Sequence, residues 1–127
     1  MNGILLDSDI LIELLRGKNV AFSNWFEELL AGSVPLYFSA VSLTEIRHGE
    51  RDHETATIDH LLSFMKCLPS HCLIANDAGE ILRHFRKSHA IGLGDAMIAA
   101  TALSEGLILW TRNRKHYPDQ RLKFFEV

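Results

Sequence analysis

The chain has 127 residues, of which 47% are hydrophobic and 23% are charged, a composition typical of one soluble globular domain and unlike that of a disordered chain. Its formal net charge of −3 argues against a protein that coats nucleic acid, because that kind of binding depends on a basic surface. The two cysteines, Cys67 and Cys72, are too few for a secreted disulfide scaffold and lack the spacing of a zinc finger. No signal peptide is evident and no apolar stretch is long enough to cross a bilayer, so we expect a cytoplasmic protein without a membrane partner.

Hydrophobic periodicity predicts an alternation of short buried strands and amphipathic helices. In chain order, the predicted elements are a strand at Gly3–Leu6, a helix closed by Gly17, a helix at Ala21–Leu30, a strand at Pro35–Ser39, helices at Ser42–Gly49 and Thr55–Leu68, a short strand at Cys72–Ala75, helices at Asp77–Lys87 and Asp95–Ser104, and strands at Leu107–Trp110 and Leu122–Val127. Strands that alternate with helices form a parallel sheet covered by helices on both faces. We therefore expect residues 1–127 to fold as a single α/β domain with three layers, α/β/α, around a short parallel sheet.

Capping residues and apolar content describe two of these helices further. Asp77 followed by Glu80 is a capping-box pattern, which predicts that a helix begins at Asp77. The segment Asp95–Ser104 is apolar on nearly all sides. A helix of that kind is buried on all sides, so we expect it to lie at the centre of the protein.

Three carboxylates occupy corresponding places in this layout. Asp7 ends the first strand, Glu45 lies in the first turn of the helix after the second strand, and Asp95 opens the buried helix. In parallel α/β sheets, ligands bind outside the carboxyl ends of the strands, where the chain turns into helices. All three acids are therefore candidates for one pocket, although they are far apart in the sequence.

Each acid also has a purely structural explanation. Glu45 and Ser42 form a capping-box pattern. Asp95 would stabilise the start of a helix through the helix dipole, and Asp7 with Ser8 would form a turn or a cap. Placing three carboxylates in an apolar setting is nevertheless unfavourable, because like charges repel and burial disfavours ionisation. A divalent cation relieves both effects, and ligands that are all oxygens favour Mg²⁺ or Mn²⁺ over Zn²⁺.

Four sequence motifs resemble those of one known family. In chain order they are Leu5–Gly17, Ser39–Ile46, Gly92–Ala100 and Trp110–Tyr117. The first, LLDSDILIELLRG, is similar to the opening motif of PIN-domain toxins of the VapC type, and the other three follow in the order and spacing of that family. The resemblance covers essentially the whole chain.

The resemblance implies a metal-dependent endoribonuclease that hydrolyses RNA phosphodiester bonds, leaving a 5′-phosphate and a free 3′-hydroxyl. It implies that Asp7, Glu45 and Asp95 form the metal site, with Mg²⁺ or Mn²⁺ activating a water for in-line attack. Thr111 and Asn113 are expected to complete the catalytic site, with the Thr111 hydroxyl orienting the nucleophile or the metal-bound water.

The fourth motif departs from the commonest family pattern. Many relatives carry a further acid here, whereas this chain has Asn113 and His116. Asn113 offers a carbonyl oxygen but no charge, so the sequence is compatible with one metal ion or with two. Asp9, two residues after Asp7, is expected to point away from the metal site once the chain is helical, and to support that site from outside.

The family also implies partners. These are an RNA substrate, an antitoxin of the VapB type whose tail blocks the active site, and a second copy of the chain in a homodimer. Arg112, Arg114 and Lys115 flank Asn113 and are candidates for contacts with RNA phosphates, although a basic run is more often a solvated surface. The same alternative applies to the basic segment Arg83–His89.

Two other functions fit parts of the sequence. Asp7 and Asp9 match the DxD start of a haloacid-dehalogenase-like phosphatase, but the second acid expected four residues after Asp95 is replaced by Ala99. Such a phosphatase would hydrolyse a chromogenic monoester. The other alternative is a receiver-like or inactivated binding module, with the acids retained only as helix caps. A module of that kind would not be stabilised by magnesium. A related possibility is a protein that binds RNA but cuts slowly because the fourth acid is missing.

Overall fold

Four short parallel strands form the central sheet of the protein in a computed structural model, which describes residues 2–127. The strands are β1 (Ile4–Leu6), β2 (Leu36–Ser39), β3 (Lys66–Leu68) and β4 (Ile108–Trp110). They lie side by side in the order β3-β2-β1-β4. Ile4 pairs with Leu36 on one side and with Ile108 on the other, which sets the register at the centre of the sheet.

Helices connect the strands and cover both faces of the sheet. They are α1 (Ser8–Arg16), α2 (Val20–Ala31), α3 (Ala40–Gly49), α4 (Thr55–Leu62), α5 (Cys72–His89) and α6 (Leu93–Glu105), with short 3-10 turns at Asp52–Glu54 and Arg114–His116. The predicted three-layer α/β/α fold around a short parallel sheet is therefore confirmed. Among the described helices, none is both long and apolar enough to cross a membrane.

Successive residues of β1 face opposite layers of the protein. Leu5 packs into a core formed with α5 and α6, whereas Ile4 and Leu6 pack into a second core formed with α1 and α2. Leu5 and Leu6 are both fully buried. Burying one such side chain contributes about 1.5–3 kcal/mol, so both faces of this short strand stabilise the fold. The continuous apolar sequence of β1 is a consequence of its burial on both faces.

The predicted central position of α6 is confirmed. Its buried residues are Ala96, Ile98, Ala99, Ala100, Thr101 and Ala102. Most of them are small, which allows α5 and the sheet to pack closely against different sides of the helix. The first turn of α6 is consequently held in a fixed position at one edge of the sheet.

The strand order creates a switch point between β1 and β4. From β1 the chain adds β2 and then β3 on one side, and it returns to place β4 on the other side of β1. Parallel connections are right-handed, so crossovers that run in opposite directions place their helices on opposite faces of the sheet. The connections that leave β1 and β4 therefore diverge, and in folds of this kind ligands bind outside the carboxyl ends of the strands at the switch point.

The predicted helix Thr55–Leu68 is wrong in its second half. α4 ends at Leu62 and is followed by a turn. Lys66–Leu68 then forms β3, which pairs with Tyr37–Ser39 of β2. A short run of apolar residues fits a helix or a buried strand equally well, and here pairing with a distant strand decides the outcome.

The predicted strand Cys72–Ala75 is also wrong, because these residues form the first turn of α5. Asp77 lies inside that helix, so the predicted helix start at Asp77 is wrong as well. The apolar residues Ile74, Ala78 and Ile81 are buried at helical spacing, and this periodicity extends the helix back beyond the apparent capping box.

The C-terminal strand predicted at Leu122–Val127 does not form. Only an isolated bridge between Leu109 and Phe124 joins this segment to the sheet. Two backbone hydrogen bonds hold the segment beside β4. The N–H of Leu109 donates to the carbonyl of Lys123, and the N–H of Phe125 donates to the carbonyl of Leu109. The terminal segment therefore covers the edge strand without extending the sheet.

Candidate active site

Asp7 lies at the carboxyl end of β1, where the chain turns into α1. It is the N-cap of α1, and its Oδ1 accepts a hydrogen bond of 2.7 Å from the backbone N–H of Ser8. The backbone N–H of Asp7 donates to the carbonyl of Trp110 in β4 at 2.9 Å, which holds the ends of the two strands together. Asp7 is buried, with only 6% of its surface exposed. The cap anticipated for Asp7 is present, and it engages only one of the two carboxylate oxygens.

The second carboxylate oxygen of Asp7 accepts hydrogen bonds from the segment that follows β4. The hydroxyls of Thr111 and Tyr117 both donate to Asp7 Oδ2, each at 2.8 Å. Burial raises the pKa of Asp7, these hydrogen bonds oppose the increase, and the charge of Asp95 adds to it. A buried carboxylate in this situation is a group that a bound cation would stabilise.

Glu45 lies in the second turn of α3, because that helix begins at Ala40 with Ser39 as its N-cap. The predicted position in the first turn and the predicted capping box with Ser42 are therefore wrong. Glu45 Oε1 instead accepts a hydrogen bond of 3.0 Å from the hydroxyl of Ser8, whose oxygen lies 2.9 Å from that of the buried Ser42. Partial burial raises the pKa of Glu45, as do the charges of Asp7 and Asp95.

Asp95 lies in the first turn of α6, whose N-cap is Gly92. A carboxylate in this position interacts favourably with the helix dipole, so the structural explanation holds for Asp95 as well. The start of α6 also lies close to Glu45. A Cβ atom added to Gly94 would be 3.6 Å from Glu45 Oε1. The Nδ1 atom of His116 lies 3.8 Å from Asp95 Oδ2. The four motifs therefore come together at the carboxyl ends of the strands.

An open cavity of about 680 Å³ lies beside two of these acids. Glu45 and Asp95 line one part of it, and the apolar side chains of Val41, Leu93 and Met97 line another. Leu93 is 66% exposed, so the cavity is open to solvent on that side. Glu45 and Asp95 are consequently accessible to a ligand from this side.

The donor chemistry of this site fits a hydrated divalent cation. Asp7, Glu45 and Asp95 present only oxygens. Burial raises the pKa of Asp7 and of Glu45, and neighbouring negative charges add to the increase. Within residues 2–127, no three acidic, histidine or cysteine side chains converge into a closed set of metal ligands. Mg²⁺ is commonly held by one or two carboxylates and completes its coordination with water and substrate phosphates. The open arrangement suits that mode of binding.

Asp9 connects α1 to the fourth motif. Its Oδ2 accepts hydrogen bonds of 3.0 Å from the backbone N–H of Arg112 and from the side-chain amide of Asn113. Burial and the charge of Asp7 raise the pKa of Asp9 to about 6. Asn113 is thus held by Asp9, and its backbone N–H donates to the Thr111 hydroxyl at 3.1 Å. Asp9 supports the loop that carries Thr111 and Asn113.

The three basic residues of the fourth motif differ in their contacts. Arg112 forms an ion pair of 2.9 Å with Glu13, and Arg114 forms one of 2.9 Å with Glu126. Lys115 is exposed and forms no ion pair with any residue between 2 and 127. Of the three, Lys115 has the charge most readily available to an anionic ligand.

Tyr117, Ser8 and Ser42 belong to the site but were not predicted to. Tyr117 stands four residues after Asn113, at the end of the fourth motif. This position and its polar hydroxyl were the features of the sequence that could have indicated a contact with the site. Ser8 follows Asp7 and was expected only to form a cap or turn. Ser42 was assigned to a helix cap, because the start of α3 was placed too late in the sequence.

Comparison with known proteins identifies the family to which this site belongs. The PIN domain family model matches residues 4–118. The chain belongs to the PIN domain family. Ribonuclease VapC10 from Mycobacterium tuberculosis is 42% identical over 116 residues, which cover 91% of this chain and 86% of that protein. Ribonuclease VapC1 from Rickettsia felis is 30% identical, with 98% of this chain and 94% of that protein covered.

Solved structures of PIN domain proteins have the same fold. DNA-bound VapBC from Salmonella typhimurium matches with a TM-score of 0.84 and 23% identity, over 98% of each chain. A toxin–antitoxin complex from Klebsiella pneumoniae matches with a TM-score of 0.74 and 26% identity, over 98% of this chain and 100% of that chain. These matches do not favour the alternative of a haloacid-dehalogenase-like phosphatase.

Proposed function

We propose that this PIN domain protein is an endoribonuclease that hydrolyses RNA phosphodiester bonds with Mg²⁺ or Mn²⁺ as its cofactor. The observation that carries the proposal is the position of Asp7, Glu45 and Asp95. The three acids come from distant parts of the chain and lie near one another at the carboxyl ends of the strands, where ligands bind in α/β folds. The 42% identity to Ribonuclease VapC10 supports the same reaction class.

Asp7 and Asp95 are the proposed ligands of the cation, with Glu45 acting directly or through a water. The cation would activate a water for in-line attack and offset the charge that develops on the phosphate and the leaving oxygen. Hydrogen bonds within the chain orient two of these acids: Ser8 orients Glu45, while Thr111 and Tyr117 orient Asp7. Such fixed orientation lowers the reorganisation that the reaction requires.

Glu45 is the carboxylate best suited to accept a proton from the attacking water. Its pKa is raised by partial burial and by its two acidic neighbours, which makes it a stronger base than an ordinary glutamate. It also lines the open cavity beside Asp95. Thr111 has a different function, because its single hydroxyl proton is donated to Asp7. Asn113 retains its side-chain carbonyl for a water or a phosphate, since its amide donates to Asp9.

The proposed biological role is that of the toxin in a VapBC-type toxin–antitoxin pair, active in the cytoplasm. A VapB-type antitoxin and a second copy of the chain are the proposed protein partners. The similarity to a toxin–antitoxin complex from Klebsiella pneumoniae supports an antitoxin partner. Co-expression with the product of a small neighbouring reading frame tests this role, because a cognate antitoxin would suppress growth arrest and co-purify with the chain.

Cleavage of a structured RNA by the purified protein tests the proposed reaction. We expect cleavage with Mg²⁺ or Mn²⁺, none with a chelator, and none with Asp7→Asn. Asp52→Asn is the matched control, because Asp52 is an exposed acid in a short turn outside the site. Cleavage that survives both the chelator and Asp7→Asn would come from a contaminant. RNA binding without cleavage would instead support the alternative of a binding module.

A further inference from the structure

We propose that Tyr117 is a positioning residue that determines, together with Thr111, which oxygen of Asp7 faces a bound cation. The inference rests on the proposed metal-dependent function and extends it to a residue outside the acidic set. Tyr117 does not line the cavity, and within residues 2–127 the side-chain hydrogen-bond partner of its hydroxyl is Asp7. It would therefore act through Asp7.

The assignment follows from the number of hydrogen bonds that a carboxylate can accept. Each carboxylate oxygen has two lone pairs, which gives four acceptor positions. Thr111 and Tyr117 fill both positions on Asp7 Oδ2, and the backbone N–H of Ser8 fills one on Oδ1. A single position remains, on Oδ1. Asp7 is consequently set to bind a cation through one oxygen, and a bidentate mode would require one of the hydroxyls to be displaced.

Tyr117 is well placed to enforce this restriction because it cannot move easily. Its surface is only 3% exposed, and its ring packs in the core that contains Leu5 and Ile91. Its backbone N–H donates to the carbonyl of Arg114 at 2.9 Å, which anchors the residue to the preceding turn. Because the residue is almost fully buried, bulk water competes poorly with Asp7 for the hydroxyl. The hydrogen bond between Tyr117 and Asp7 is therefore expected to be persistent.

Tyr117→Phe removes the hydroxyl and keeps the ring in the core. The chain contains one other tyrosine, Tyr37, which lies in β2 away from the acids, so Tyr37→Phe is a matched control. Binding of Mn²⁺ alone, titrated by electron paramagnetic resonance, reports on the site without RNA. We expect Tyr117→Phe to weaken Mn²⁺ binding by about 10-fold, in the range typical of residues that support metal ligands. Tyr37→Phe should bind as the wild type does.

A second variant, Thr111→Val, removes the other donor to the same oxygen and should weaken Mn²⁺ binding to a similar extent. Thermal unfolding in chelator distinguishes this effect from misfolding, because a variant that keeps its fold still unfolds in one cooperative transition, even where the lost hydrogen bond lowers the melting temperature.

Equal Mn²⁺ affinity in wild type and folded Tyr117→Phe would overturn the positioning role and leave the proposed ribonuclease standing. Wild-type protein that binds Mn²⁺ but cuts no RNA would overturn the ribonuclease, while the comparison of the two tyrosine variants would still decide the positioning role. Wild-type protein that binds no divalent cation would overturn both.

Discussion

The hydroxyl of Thr111 donates a hydrogen bond of 2.8 Å to the carboxylate of Asp7, although the two residues are 104 positions apart in the sequence. Asp7 follows β1 and Thr111 follows β4, so this bond crosses the switch point of the sheet. The order of the strands, rather than the proximity of the motifs in the sequence, brings these residues together. Three further residues, Ser8, Glu45 and Asp95, are grouped around the same edge.

The stability of the metal-free protein is expected to fall as the pH rises from about 4 to about 6. Burial and the charge of Asp7 raise the pKa of Asp9 to about 6, so the folded chain holds a proton that the unfolded chain has already released. The free energy of unfolding falls over this interval, because ionised Asp9 is favoured in the unfolded chain, where its carboxylate is fully solvated. The effect is about 1–2 kcal/mol once partial exposure of Asp9 is taken into account. Urea unfolding in chelator across this range measures it.

Asp9→Asn is the control for this pH profile. Asparagine carries no titrating carboxyl, so the profile of the variant should be flatter than that of the wild type. Some slope should persist, since burial also raises the pKa of Asp7 and of Glu45 in the same direction. An unchanged profile in Asp9→Asn would assign the pH dependence to other groups.

Mg²⁺ and Mn²⁺ are expected to stabilise the folded protein. Burial raises the pKa of Asp7 and of Glu45, and neighbouring negative charge adds to the increase; a cation offsets both effects. A ligand at 100 times its Kd stabilises a folded protein by about 2.7 kcal/mol, which raises the melting temperature by several degrees. Thermal melts with chelator and with each cation provide the measurement. Asp95→Asn should lose most of the increase and Asp52→Asn none, and equal increases in both would place the cation elsewhere.

The acidic site could be predicted from local sequence because it depends on general rules. Asp7 follows an apolar strand, and ligands of α/β proteins bind at that end of the strands. The assignment of Glu45 needed more, since its apparent capping box with Ser42 is not formed. Family resemblance predicted a place for Glu45 in the acidic site, whereas the local pattern favoured a helix cap that does not form.

Contacts between distant segments could not be predicted from periodicity. β3 was assigned to a helix, because its short apolar sequence has no feature that distinguishes a strand from a helix. Its pairing with β2 is a property of the folded chain alone. Tyr117 is a similar case: its burial and its bond to Asp7 depend on the return of the chain to β1. The order of the strands determines the pairing of β3 and the position of Tyr117, and no local residue pattern predicts that order.

Ser8→Ala is expected to reduce RNA cleavage by about 10-fold, the lower end of the range for residues that orient the groups of a metal site. The Ser8 hydroxyl holds Glu45 Oε1 at 3.0 Å, so without it the carboxylate samples more orientations. A double-mutant cycle compares Ser8→Ala, Glu45→Gln and the double variant, and it separates this effect from a general loss of structure. Residues in contact show interaction energies of about 0.5–3 kcal/mol in such cycles. Additive effects on the cleavage rate would mean that Ser8 acts independently of Glu45.

Lys115→Ala is expected to weaken RNA binding, whereas Arg112→Ala is expected mainly to lower stability. Arg112 is paired with Glu13 and lies 5.8 Å from the centre of the Phe22 ring, so its charge is already engaged. Removing it should cost about 1 kcal/mol of folding stability, as for a partly exposed ion pair with a cation–π contact. Lys115 has no such partner within residues 2–127 and is free to contact a phosphate.

The salt dependence of RNA binding identifies such a contact. Loss of one phosphate contact to a single strand should reduce the slope of log K against log salt concentration by about 0.7. Fluorescence anisotropy in chelator measures this slope without cleavage. Lys123→Ala is the matched control, because Lys123 is another exposed lysine and lies outside the fourth motif. If Lys115→Ala and Lys123→Ala give the same slope as the wild type, the RNA backbone does not contact Lys115, and the charge of this loop is a solvated surface.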